Sequence, residues 1–305
     1  YAIVMKTLAR FEAALGRRVS WGFNGYGSRS HQLKVAPHAF SDANAFYSRR
    51  DEALLFGYFP AADGHVVHTC LSHDIVVHET SHALLDGLRE RYLAPSHPDQ
   101  AAFHEAFSDL IALLSVFALP ELVMHLIDVD AETADAPTKR ARRARRVPEG
   151  MLDATDARYE SLRASMVNAV GRELGREMSA IGRSALRHSL LDVPKSTRAL
   201  EGRDTPHERG EVLVAAVMEA FMQVWSERLE AYFADKRATS MSRKRAAEEA
   251  ARCADYLLTM VIRAIDYSPP VHMKFGTLLS AMVTADAQLH PRDPFGFQRA
   301  LVASF

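Results

Sequence analysis

A chain of 305 residues, 48% hydrophobic and 25% charged, carries enough apolar material to bury a sizeable core, in one large domain or two lobes. Its formal net charge of −1 gives no overall steering towards nucleic acid or an anionic membrane, and no apolar run approaches the ~20 residues that span a bilayer. The two cysteines, Cys70 and Cys253, form neither a CxxC pair nor a disulfide framework, which favours a reducing, cytoplasmic setting; secretion after removal of a leader is the alternative.

Residues 1–15 carry helical spacing, and Gly16 ends the run. The turn-rich stretch WGFNGYGSRS follows. HQLKVAP and EALLFGYF read as strands from their alternation and aromatic content, with a short edge strand in SDANAFYSRR between them. A loop from Pro60 to Gly64 leads to HDIVVHETSHALLDG, residues 73–87. Apolar flanks make this segment a largely buried helix, with Gly87 as its stop.

From about residue 99 almost everything reads as helix. AAFHEAFSDLIALLSVFAL stops at Pro120, and two long periodic segments begin at ERGEVLVAAV and SRKRAAEEAA. FGTLLSAMVTADAQL and DPFGFQRALVASF close the chain. The most loop-like stretch is DAETADAPTKRARRARRVPEG, residues 130–150. It reads as a solvated surface excursion and not as a nucleic-acid patch, because no aromatics interleave its charges. The expected class is α+β and predominantly helical. Residues 1–88 form a mixed N-terminal lobe, and residues 89–305 form a helical C-terminal lobe.

The chemistry concentrates in HETSH, residues 78–82. Positions i and i+4 share a helix face, so His78 and His82 can put two imidazole nitrogens on one metal ion. Glu79 is rotated about 100° from His78, where a base for a metal-activated water belongs. Two histidines also suit an ordinary buried helix in which they bond to neighbours, so a third ligand decides the matter. A metzincin pattern is rejected, because Leu85 and Leu88 stand where Gly and His are needed. The remaining source is HEAFSD, residues 104–109, on a helix that can pack antiparallel to the first. Glu105 completes a His/His/Glu set with an open fourth position, and Asp109 is placed to accept the second ring N–H of a ligand histidine.

HETSHALLDG followed by HEAFSD resembles the gluzincin zinc metallopeptidases, and among them the thermolysin-like neutral proteases. His104 takes the place of the family's Asn, and the rest of the second motif agrees. Asp74, four residues before His78, also matches. Asn44-Ala45-Phe46 resembles the edge strand that holds substrate backbone, while the exopeptidase motif of the aminopeptidase branch is missing. The closing helices are similar too. The resemblance implies a two-lobed zincin with the zinc helix at the cleft floor and one catalytic zinc. Its substrate would be a peptide or protein, cleaved internally, with neither nucleic acid nor membrane as partner. It further implies Tyr92 and His207 as oxyanion donors, with Asp204 orienting His207. Val116 stands where a calcium-binding Glu of the secreted members would sit, which argues against that calcium site. The rival reading is a non-catalytic or latent protein that keeps the zinc as a staple or binds a partner through its basic stretch. A purely structural site has no need of Glu79.

Overall fold

The computed structural model describes residues 1–23, 31–61, 64–94, 96–133, 136–144, 147–166, 199–236 and 238–305. Helix α1, Ala2–Leu15, ends where Gly16 turns left-handed at φ 67° and its N–H returns to the Glu12 carbonyl. Most of the turn-rich stretch that follows, residues 24–30, lies outside the described residues.

Four short strands come next: β1 Lys34–Ser41, β2 Ala45–Ser48, β3 Ala53–Pro60 and β4 Val66–His68. Strand β3 is central. It runs parallel to β1 and antiparallel to β2 and β4, pairing with β2 through Ala53–Phe56 and with β4 through Tyr58–Pro60. Strand β2 is therefore an edge, as its sequence suggests. Gly57 lets the chain before β2 lie close on β3. A Cβ there would sit 2.2 Å from the Asp42 carbonyl oxygen and 2.7 Å from that of Asn44. Strand β4 and the 3-10 turn Thr69–Leu71 are too short for periodicity to register, and they lie between the expected Pro60–Gly64 loop and the zinc-motif helix.

Helix α2, His73–Leu88, follows, then α3, Pro98–Phe117, α4, Pro120–Thr133, and α5, Ala136–Ala144. The last corrects the loop reading of residues 130–150. Ala, Lys and Arg are good helix formers, so this stretch winds into a helix without an apolar face to betray it. Its described side chains lie mostly in solvent, while Arg142 donates to the Met151 carbonyl and pairs with Asp156. Strand β5, Met151–Asp153, pairs antiparallel with β6, Ser240–Ser242. Among the described residues, four further helices follow: α6 Pro206–Lys236, α7 Arg243–Tyr267, α8 Phe275–Leu289 and α9 Phe297–Ser304.

The class is thus α+β and predominantly helical. The large core is built on α3, whose Phe103, Phe107, Leu110 and Leu114 are fully buried against α2, α6 and α7. Each such side chain contributes roughly 1.5–3 kcal/mol by leaving water. A second, smaller core of Val4, Ala45, Leu54, Phe56, Ile75, Val76 and Ala83 joins the sheet to α1 and α2. Helix α2 serves both cores, which holds it rigidly between sheet and bundle. No single helix among the described residues is long and apolar enough to cross a membrane.

Candidate metal centre

Helices α2 and α3 pack against each other and bring three side chains together. His78 Nε2 and His82 Nε2 lie 2.8 Å apart, and each is 3.6 Å from Glu105 Oε2. Among the described residues this is the group of histidine and carboxylate side chains that could hold a metal ion. A tetrahedral site with bonds of ~2.0–2.1 Å needs about 3.3–3.4 Å between donor atoms. The two nitrogen–oxygen separations already suit this, and the nitrogen pair needs to open by about half an ångström. Two imidazoles and one carboxylate are a donor set that suits a divalent metal ion.

The far sides of both rings are spoken for, which leaves the Nε2 atoms as the ligating ones. Asp109 Oδ1 accepts from His78 Nδ1 at 2.8 Å. Asp109 and Glu105 share a face of α3 at i and i+4, so one helix supplies both the ligand and the partner that orients another ligand. His82 Nδ1 lies 2.7 Å from His104 Nδ1 and 3.0 Å from Ser108 Oγ, and the His82 and His104 rings stack at 4.7 Å. Burial, helped by the neighbouring His82, lowers His104 to about 3 and keeps it neutral. With His82 ligating through Nε2, its Nδ1–H donates to His104 Nδ1. The His104 proton then sits on Nε2, a buried atom with no hydrogen-bond partner. Burial acts to raise the Glu105 carboxyl, but bonds from His78 and His82 outweigh it and hold it well below the usual carboxylate range.

Glu79 is 1% exposed, and its Oε2 accepts the Tyr47 backbone N–H at 3.0 Å. The carboxylate thus sits at the seam between α2 and β2, more enclosed than an open cleft face would leave it. Solvent reaches the cluster at Glu105, whose side chain is 23% exposed, and at His207, 62% exposed.

His207 Nε2 lies 3.3 Å from Glu105 Oε2, so the structure brings this residue to the cluster. It is the second residue of α6, and the start of that helix is fixed twice. Thr205 Oγ1 accepts from the Glu208 N–H while Glu208 Oε2 accepts from the Thr205 N–H, a capping box with Pro206 at the first helical position. Arg209 then pairs with Asp99 at the start of α3. Gly210 allows the close approach, since a Cβ there would meet the Ala102 carbonyl oxygen at 3.0 Å.

Other expected residues are placed differently. Tyr92 is 1% exposed, packs edge-on against Phe103 at 5.7 Å and donates its hydroxyl to the Pro269 carbonyl. It is a core residue and offers nothing to an oxyanion. Asp74 accepts from the Ser72 hydroxyl in the first turn of α2 and makes no bond to the cluster. No hydrogen bond or ion pair joins Asp204 to His207 among the described residues. The Asn44 side-chain oxygen accepts from the Ala45 N–H at 2.8 Å, and the Asn44 carbonyl accepts from Gly57 and Thr69. These Asn44 oxygens and the Ala45 N–H are bonded to the strand and to the turn beside it. The group that β2 turns towards the site is the Tyr47 N–H. Tyr47 carries no motif signal, and Asp86, although it lies within HETSHALLDG, shows its hydroxyl partner only in the folded chain.

Comparison with known proteins finds no matching family model, no matching curated protein and no matching solved structure.

Proposed function

We propose that this chain is a zinc-dependent peptidase of thermolysin-like gluzincin type, cleaving peptide bonds within a chain. The observation that carries the reading is the convergence of His78, His82 and Glu105, each histidine backed on its far nitrogen, with Glu79 on the same helix one residue beyond His78. His78, His82 and Glu105 would hold a zinc ion, which when bound would supply Lewis acidity for activating a water and polarising the scissile carbonyl. The residues supply the rest. Asp109 and His104 keep the ligand rings in one tautomer and orientation. Glu79 takes the proton of the attacking water and passes it to the leaving amine, while the Tyr47 N–H steadies its carboxylate. His207, exposed beside Glu105, donates to the developing oxyanion in place of the tyrosine that the family pattern puts at Tyr92.

The second reading is a latent or non-catalytic zincin, and the near-complete burial of Glu79 favours it. Glu79→Gln separates the two. It keeps size, helix and metal ligands, so zinc content stays at the wild-type level by elemental analysis. General-base catalysis contributes about 10²- to 10⁴-fold, so cleavage of a quenched-fluorescence peptide library falls at least a hundredfold. Equal activity in the two proteins removes Glu79 as base. A metal-loaded wild type that cleaves nothing in the library leaves the latent reading.

A further inference from the structure

Two carboxylates of α2, Glu79 and Asp86, lie on one face two turns apart, a rise of ~10 Å along the axis. A single residue of the edge strand bonds to both. The Tyr47 backbone N–H donates to Glu79 Oε2 at 3.0 Å, and the Tyr47 hydroxyl donates to Asp86 Oδ2 at 2.7 Å. Asp86 is 0% exposed, and its other oxygen, Oδ1, has no hydrogen-bond partner, only Arg49 Nη1 at 3.5 Å. A carboxylate is an expensive group to bury on so few bonds, and an apolar side chain would join two elements at less cost. Its surroundings are built to close over it. A Cβ at Gly22 would fall 2.2 Å from Asp86 Oδ2, and one at Gly87 would fall 1.9 Å from the Ser20 carbonyl oxygen. Residues 20–22 therefore lie flush on this turn of the helix. Arg49 fastens them, donating to the Gly22 carbonyl at 2.8 Å while it also pairs with Glu90.

We propose that Tyr47 and Asp86 are positioning residues of the metal site. Asp86 holds the Tyr47 ring and thereby fixes β2 at the one register that keeps the Tyr47 N–H on the Glu79 carboxylate. The inference rests on Glu79 being the base, but the clamp itself has a readout that needs no activity. A one-residue slip of a strand turns every side chain and backbone group to the opposite side, so the hydroxyl and the N–H of Tyr47 stand or fall together.

Tyr47→Phe removes only the hydroxyl. In the zinc-loaded protein, hydrogen exchange of the amide at position 47 should quicken about ten- to hundredfold, the usual effect of losing a bond to a charged group, while amides of α6 and α7 keep their protection. Zinc content should not change. In peptide cleavage kcat should fall about 10- to 100-fold with KM nearly constant, because the base is misplaced and the substrate contacts are not. Asp86→Asn keeps an acceptor oxygen for the Tyr47 hydroxyl and should preserve both exchange protection and most of kcat, whereas Asp86→Leu should match Tyr47→Phe. Unchanged exchange at position 47 in Tyr47→Phe overturns the clamp. So does a loss of protection spread evenly over the whole chain, which marks Tyr47 as general packing. If the wild type cleaves no peptide, the peptidase reading fails, and the exchange data still decide whether the clamp exists.

Discussion

Replacing Asp109 by Ala takes one bond away from His78 and little else. Among the described residues, the Asp109 carboxylate meets His78 Nδ1 at 2.8 Å and has no other partner, and its side chain is 18% exposed. The truncation therefore opens little cavity, and the apo fold should melt within a few degrees of wild type. The effect on metal binding is larger. A hydrogen bond to a charged group contributes about 1.5–3 kcal/mol, and each 1.4 kcal/mol is a factor of ten, so the loss corresponds to roughly 10- to 100-fold weaker binding. Partial exposure of Asp109 draws the expectation towards the lower half of that range. Asp109→Asn keeps an acceptor oxygen without the charge and should fall between Ala and wild type. The assay is competition for zinc against a chromogenic chelator at constant pH, with thermal melts of the metal-free proteins as the control. An Ala variant within twofold of wild-type affinity would refute the reasoning, because His78 would then be oriented by the packing of α2 alone.

Glu105→Ala leaves two histidines, which do not close a site, and zinc measured by elemental analysis should drop from near one per chain to a small fraction; full occupancy would point to another third ligand. Gly210→Leu puts a Cβ 3.0 Å from the Ala102 carbonyl oxygen and crowds the rest of the side chain between α6 and α3. Overpacking costs about 1–3 kcal/mol, so the melting temperature should fall, and an unchanged melt would mean the two helices separate freely. Burial pushes the Cys253 thiol up to about 12. At pH 8 the thiolate is then roughly one part in ten thousand, and Ellman's reagent should reach Cys253 only on unfolding. Rapid modification of Cys253 in the native protein would contradict its burial.

The sequence alone determined the features that one helix, or one short motif, carries within itself. His78 and His82 face the same way because 3.6 residues make a turn, and Glu105 and Asp109 repeat the relation on α3. That is why the cluster and the Asp109 bond are legible in the sequence. The Thr205–Glu208 cap is equally local and marks where α6 begins. The predominance of helix followed from periodicity, although α5 escaped because a polar helix has no apolar stripe to read.

Tertiary structure decided everything that depends on how separate elements meet. Tyr92 stands ten residues after His82, but α2 ends at Leu88 and a 3-10 turn over Glu90–Leu93 swings the ring into the core, so sequence distance from the metal helix said nothing about direction. Ala45 opens the expected edge strand and Asn44 directly precedes it, yet the Asn44 side-chain oxygen and carbonyl and the Ala45 N–H are taken up by bonds to their own neighbourhood. His207 reaches Glu105 across 102 positions of sequence because Gly210 and the Asp99–Arg209 pair dock α6 on α3. Tyr47 and Asp86 became visible only when β2 was laid along α2. A helix fixes its own side-chain bearings through backbone geometry, whereas contacts between elements are fixed by the packing of whole faces, and no local pattern encodes that.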